Sequence, residues 1–199
     1  MRWIRMRYGV IIRHGSLFRS NHTVHAVRRR EEVRLHLDGF LSYPSAVYTV
    51  PYGVMVPKEV GNLLLPVPVS GSHIGFSTLR MEPCWMAMGQ AAGIASALSI
   101  DGKVKVQNID LSRLQDKLVD QKATLMYFKD VDYTSPHFRM VQYLGLRGYL
   151  PEWTARLQEP VDMATLTAWK KLSGKDLPGI EAGKTTRLVA LEMIYRKIK

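Results

Sequence analysis

Cysteine is nearly absent: Cys84 is the single one in 199 residues. A structural disulfide within the chain and a dithiol redox pair are both excluded on that count. Acidic residues are also few, 17 against 28 Lys plus Arg, for a net charge of +11. No apolar run is long and unbroken enough to span a membrane, because glycines and Gln90 interrupt the most apolar stretch. Met1 to Arg13 does not read as a secretory signal, since arginines break its apolar core. Internal repeats and low-complexity tracts are missing as well. What remains is ordinary globular material: 46% hydrophobic residues suffice for a core of one domain or two small ones.

The positive charge is uneven. From Met1 to His36 nine arginines face two acids, a net of +7. Nucleic-acid binding through this start is one reading. The arginines are interspersed with Trp3, Ile4, Tyr8, Val10, Ile11 and Ile12 rather than gathered on one helix face, which favours solvated positions on strands. His14, His22, His25 and His36 have no spacing that sets three ligands on one element, so no metal site is expected.

The chain is organised around Asn62 to Ile100, NLLLPVPVSGSHIGFSTLRMEPCWMAMGQAAGIASALSI. Leu63 to Val69 is predicted as a buried strand, Ser70-Gly71-Ser72-His73 as a turn, and about Glu82 to Ser99 as a helix. Pro83 suits a first helical position, Glu82 complements the helix dipole, and Asp101-Gly102 is the expected stop. Gly89, Ala92, Gly93 and Ser96 make one helix face nearly free of side chains, and Met88, Ala91, Ala95 and Leu98 form an apolar stripe opposite it. Glycines inside a helix cost roughly 1 kcal/mol each. Their presence predicts close packing on a sheet or a ligand. A strand, a small polar turn and a helix start can turn backbone N–H groups towards an anionic or carbonyl-bearing ligand, though every α/β protein has such junctions.

Elsewhere Trp3 to Ile12 is predicted extended, Gly15 to Val27 as a turn and second strand, and Val33 to Leu41 as leading into a turn at Asp38-Gly39. Tyr43 to Pro57 is β-rich, with prolines at 44, 51 and 57 that suit edge or irregular strands. Asp101 to Val106 reads as a hairpin-like connector. Asp110 is placed to cap a helix to Gln121 with Leu111, Leu114, Leu118 and Val119 as its apolar stripe. Further helices are expected at Phe138 to Leu146, after Pro160-Val161 through Leu166 and Trp169, and at Thr185 to Ile198. Gly179 to Thr185 approximates a phosphate-binding loop but has three residues between its glycines where four are needed.

Tyr48, Pro51, Tyr52, Val56, Pro57, Lys58, Asn62 to Leu64, Ser70, Ser72, His73, Ser77, Arg80 to Pro83, Met86, Gly89, Gln90, Ala92 and Gly93 fall in the order of a known pattern. On those residues the segment Tyr48 to Ile100 resembles the C-terminal flavin-binding segment of FAD-dependent oxidoreductases of the xanthan-lyase-like group. The resemblance implies an α/β (α+β) fragment of a flavoprotein, with FAD as cofactor and an organic small molecule as hydride donor. It implies cofactor contacts from Ser70, Ser72, Ser77, Arg80, Met81, Glu82, Pro83 and Cys84, and a proton-transfer role for His73 near substrate. Arg80 either adds charge at the flavin or pairs with Glu82. His73 is otherwise a hydrogen-bonded turn histidine, Cys84 a packed thiol, and Tyr48 and Tyr52 aromatic core. Ser20, Asn21 and His22 stand near a family Ser-x-x-x-Asp-Ser-His-like stretch, without its Asp.

No Gly-x-Gly-x-x-Gly turn for the ADP half of FAD occurs in the sequence. The expected partner is therefore an N-terminal FAD-binding half supplied by the same or an adjacent gene. The expected organisation is residues 1–100 for the FAD and substrate region, 101–126 as connector and helix, and 127–199 as a helical tail. That tail is similar to an S-layer homology module, but lacks the Thr-Arg-Ala/Glu signature at Asp162 to Thr165. The rival reading is a non-catalytic envelope-attachment or protein-interaction module. Cytoplasmic and secreted locations stay open.

Overall fold

The structure, a computed structural model, describes residues 9–12, 21–29, 32–40, 47–174 and 176–199. Most described residues outside loops are helical, with four strands. The chain divides into two compact units, Arg13–Tyr48 and the remainder.

The smaller unit holds a hairpin of β2 (Asn21–Arg29) and β3 (Glu32–Phe40), antiparallel from Asn21 opposite Phe40 to Arg29 opposite Glu32. Asp38 and Gly39, expected as a turn, lie inside β3 opposite Thr23 and His22. The continuous ladder absorbs that Asp-Gly pair, and the chain reverses between Arg29 and Glu32 instead. The expected turn at the start of the Gly15 to Val27 stretch, with Ser20, lies outside the described residues, as do His14 and Trp3 to Tyr8.

In the larger unit β1 (Gly9–Ile12) pairs with β4 (Tyr48–Pro51). A 3-10 turn, Tyr52–Met55, follows. Leu63 to Val69 is not a strand. Pro66 and Pro68 remove two ladder donors, and Leu63 and Val67 are exposed while only Val69 is buried. A seven-residue helix, α1 (His73–Leu79), occupies part of the predicted turn region; the Ser72 hydroxyl caps it by accepting from the Gly75 N–H at 3.1 Å.

The long helix α2 (Glu82–Gly102) carries Pro in its first turn, as expected, and runs three residues past the predicted end. Lys103, at φ 48°, takes the left-handed cap position that the Asp-Gly pair was expected to provide. Cys84, Met88, Ala91, Ala92, Ala95 and Leu98 are buried. Tyr52 belongs to this core: its hydroxyl donates to the Val106 carbonyl at 2.9 Å, and burial pushes its pKa up to about 12. The prediction at Asp110 is borne out, since it caps α3 (Leu111–Asp120) by accepting from the Ser112 and Arg113 N–H groups.

The tail packs α4 (Phe138–Leu146), α5 (Met163–Ser173) and α6 (Arg187–Ile198) on one core that includes Phe128, Val141, Leu144, Trp169, Leu191 and Ile194. Asp162 and Thr186 cap α5 and α6. The two capping segments are tied together, Val161 N–H to the Thr185 carbonyl at 2.9 Å and Arg187 N–H to the Glu159 carbonyl at 2.8 Å. Trp169 donates its indole N–H to the Tyr149 carbonyl at 2.7 Å. Gln142, fully buried, joins the tail to the preceding segment: its Oε1 accepts from Leu125 and Met126 N–H, and its Nε2 donates to the Met126 carbonyl, each at 2.7 Å. Gly179 to Thr185 is a loop, with Thr185 Oγ1 accepting from Glu181 N–H and Lys184 paired to Glu181 at 2.8 Å.

Candidate functional site

Helices α1 and α2 meet at Arg80-Met81, and the junction from Arg80 to Cys84 carries five of the eight residues expected to contact a cofactor. Arg80 caps the C-terminus of α1 and Met81 is the N-cap of α2. Arg80, Glu82 and Pro83 are exposed and Met81 is half-buried. Met81 offers no side-chain acceptor to the helix start, and Pro83 has no N–H to offer. The Glu82 N–H has no hydrogen-bond partner among the described residues. It sits at the positive end of a 21-residue helix, where the summed peptide dipoles favour negative charge. Arg80 forms no ion pair with Glu82, so its guanidinium is open to solvent beside that end.

Cys84 behaves differently from its neighbours. Its side chain is fully buried and the thiol donates to the Thr78 carbonyl at 3.7 Å. The thiol therefore clamps α1 to α2 from beneath. Its side chain is thus withdrawn from a ligand at the junction.

The serines divide between the two ends of α1. Ser70 is exposed and its N–H is spent on the Val54 carbonyl at 2.8 Å. Ser72 spends one lone pair on capping α1 but keeps its O–H as a donor. His73 opens α1, and Ser77 is exposed in its last turn. Seven residues at 1.5 Å rise put the ends of α1 about 10 Å apart. The helix thus separates Ser70, Ser72 and His73 from the Arg80-to-Cys84 junction, where the sequence suggested a single turn.

Trp85 went unnoticed in the sequence. Its indole N–H is buried and has no hydrogen-bond partner, the one such side-chain donor among the described residues. Only tertiary packing creates that condition, so no sequence signal announces it. Tyr52, by contrast, is committed to the core through Val106.

Residues 22–118 match the family of FAD dependent oxidoreductases. The cofactor of this family is FAD, in agreement with the expectation from Tyr48 to Ile100. The matched oxidoreductase segment begins in β2 and ends near the close of α3, and so contains α1, α2 and their junction. No curated protein and no solved structure matches the chain significantly.

The residues present suit one end of FAD. An exposed guanidinium, an unpartnered N–H and an uncapped helix start suit the pyrimidine edge of a flavin, where negative charge gathers on reduction. No glycine fingerprint in the sequence suits the ADP end. No helix among the described residues is long and apolar enough to cross a membrane.

Proposed function

We propose that this chain supplies the flavin-facing part of an FAD-dependent oxidoreductase of the xanthan-lyase-like group, which removes hydride from an organic substrate. The supporting observation is that the family match contains the α1–α2 junction, where Arg80 and the Glu82 N–H stand open at the positive end of α2. FAD supplies the hydride-accepting chemistry. Arg80 and the Glu82 N–H hold negative charge at the junction, and Pro83 fixes the direction of the first helical turn. Met81 completes the junction, while Cys84 keeps α1 against α2 through its thiol. Ser72 and Ser77 donate hydroxyl hydrogen bonds, Ser70 borders the loop, and His73 moves a proton at the substrate side.

The ADP half of the cofactor falls to a partner segment with a strand, a Gly-x-Gly-x-x-Gly turn and a helix. The test is co-expression with such a segment encoded in frame or next to this chain, followed by purification and absorbance spectroscopy. The paired protein is expected to carry flavin absorbance, and Arg80→Gln to weaken FAD binding by about tenfold, the worth of one charge-assisted hydrogen bond. A colourless pair that takes up no added FAD would overturn the reading.

A further inference from the structure

The hairpin of β2 and β3 brings together residues that the linear sequence keeps apart. Along each strand successive residues alternate between the two faces, and the register sets one strand's alternation against the other's. One face collects Val24, Ala26, Val33, Leu35 and Leu37. The other collects Thr23, His25, Arg34, His36 and Asp38. A slip of one residue would set the apolar positions of one strand beside the polar positions of the other, so the pattern itself favours this pairing.

Three residues of the polar face are of metal-ligating type. His25 stands directly opposite His36, and Asp38 follows His36 by two positions on the same face. Directly opposed residues have Cβ atoms about 4.5–5.5 Å apart, and diagonal neighbours such as His25 and Asp38 about 7–8 Å. Two imidazoles and a carboxylate at those spacings suit a single ion, whose bonds to such ligands are about 2.0–2.2 Å long. No one strand carries all three, so spacing along the chain does not announce the site and strand pairing creates it. His22 stands opposite Gly39 on the other face and takes no part.

Two features of the hairpin otherwise lack a reason. Asp and Gly are poorly suited to the interior of a strand, yet Asp38-Gly39 is there. The unit Arg13–Tyr48 is also smaller than the roughly 40 residues below which a compact unit usually needs a disulfide, a metal or oligomerisation. It contains no cysteine, which rules out the disulfide. An ion held from both strands fastens β2 to β3 in the middle of their ladder, where a two-stranded hairpin by itself is marginal.

We propose that His25, His36 and Asp38 bind a divalent transition-metal ion, zinc or one that shares its preference for imidazole, across the β2–β3 hairpin. Two imidazoles select such an ion over magnesium or calcium, which take oxygen ligands. Three protein ligands leave a fourth position for water. Arg34 shares the face but stands on the turn side of His36, away from Asp38. The test is a titration of the untagged full chain with zinc chloride, followed by calorimetry and by nitrogen-15 spectra of its six imidazoles, with magnesium chloride as the control. One saturable site is expected, with shifts at His25 and His36, none at His22, and no response to magnesium. His36→Gln and Asp38→Asn are each expected to weaken zinc binding by about tenfold or more, since even the groups that orient metal ligands are worth about 10–100-fold. His22→Gln is expected to leave it unchanged. Absence of saturable zinc binding, saturation at other histidines, equal binding of magnesium, or equal losses in His22→Gln and His36→Gln would overturn the proposal. The imidazole spectra of the wild type decide the matter even where a variant folds poorly.

Discussion

The matched oxidoreductase segment and the tail treat glycine in opposite ways. In α2, a Cβ built on Gly89 or Gly93 would meet nothing within 4 Å. In α4, a Cβ on Gly145 would meet the Phe128 ring at 3.0 Å. The tail uses its glycine to close a core, whereas the segment keeps two glycines on a face that no other part of the described chain covers. Caps do not divide by region, since Ser72 and Asp110 cap α1 and α3 in the segment and α4 in the tail opens on His137 without a side-chain cap, but the long helix α2 stands apart from its two neighbours. Asp162 and Thr186 secure the starts of α5 and α6 with side-chain acceptors, while α2 opens on Met81 with none. Met86 and Ile100, 74% and 76% exposed, lie along the uncovered side of α2. The buried Gln142 amide and Trp169 indole of the tail both find partners in the described chain. The segment keeps donors and surface in reserve, as the proposed flavin-facing role requires.

The largest test of this contrast strikes the tail's satisfaction. Gln142→Leu leaves the Leu125 and Met126 N–H groups and the Met126 carbonyl without their partner. A loss of about 3 kcal/mol or more is expected in urea unfolding, since each stranded buried group costs roughly 1–3 kcal/mol. A loss below about 1 kcal/mol would show that water takes over these bonds.

Tyr52 tests the segment's own core through pH. Its folded pKa, about 12, lies above the ordinary value of 10.0. The stabilisation is therefore complete below about pH 10 and lost as pH rises towards 12. Wild type should lose about 2 kcal/mol more than Tyr52→Phe across that window, a shift of some two pKa units at 1.36 kcal/mol each with allowance for partial burial. Parallel pH profiles for the two proteins would contradict the buried hydroxyl.

The glycines give the most direct comparison. Gly145→Ala should destabilise by about 1 kcal/mol, because overpacking against Phe128 costs about 1–3 kcal/mol and the helix preference for Ala returns about 1. Gly93→Ala has open space on every side and should stabilise the chain by up to about 1 kcal/mol. Thermal unfolding of both variants checks the opposite signs. Equal signs would remove the distinction between the two helices.

Those parts of the fold governed by local chemistry were legible in the sequence. Asp110 declares its cap by standing just ahead of an apolar period, and Pro83 marks a helix start wherever it stands at such a boundary. Phe138 to Leu146 forms the helix its periodicity predicts. Leu63 to Val69 misled because an apolar run resembles a strand until Pro66 and Pro68 are charged with the donors they lack. Helix α1 was hidden because Gly75, the β-branched Ile74 and Thr78, and Phe76 are weak helix formers, so the Ser72 cap and tertiary packing decide its conformation.

The candidate site was legible as a stretch rather than as a shape. Arg80 to Pro83 stood out through their order, and the structure keeps them contiguous at one helix junction. The insertion of α1 between them and Ser70-Ser72 depends on a capped turn that composition does not announce. Trp85 was invisible for a deeper reason. Whether a donor is spent depends on which residues fold against it, and nothing in a neighbouring letter records that.

The Gln142 clamp also imposes an order of events during synthesis. Leu125 and Met126 emerge before the side chain that holds them. At translation rates of about 5–20 residues per second, the amide follows roughly one to three seconds later. Through that interval the junction after α3 has no anchor, and α3 cannot be locked to α4. The tail thus acts as a late fastener on a segment already made, and a pause in translation between the two would lengthen its exposure to proteases and to aggregation.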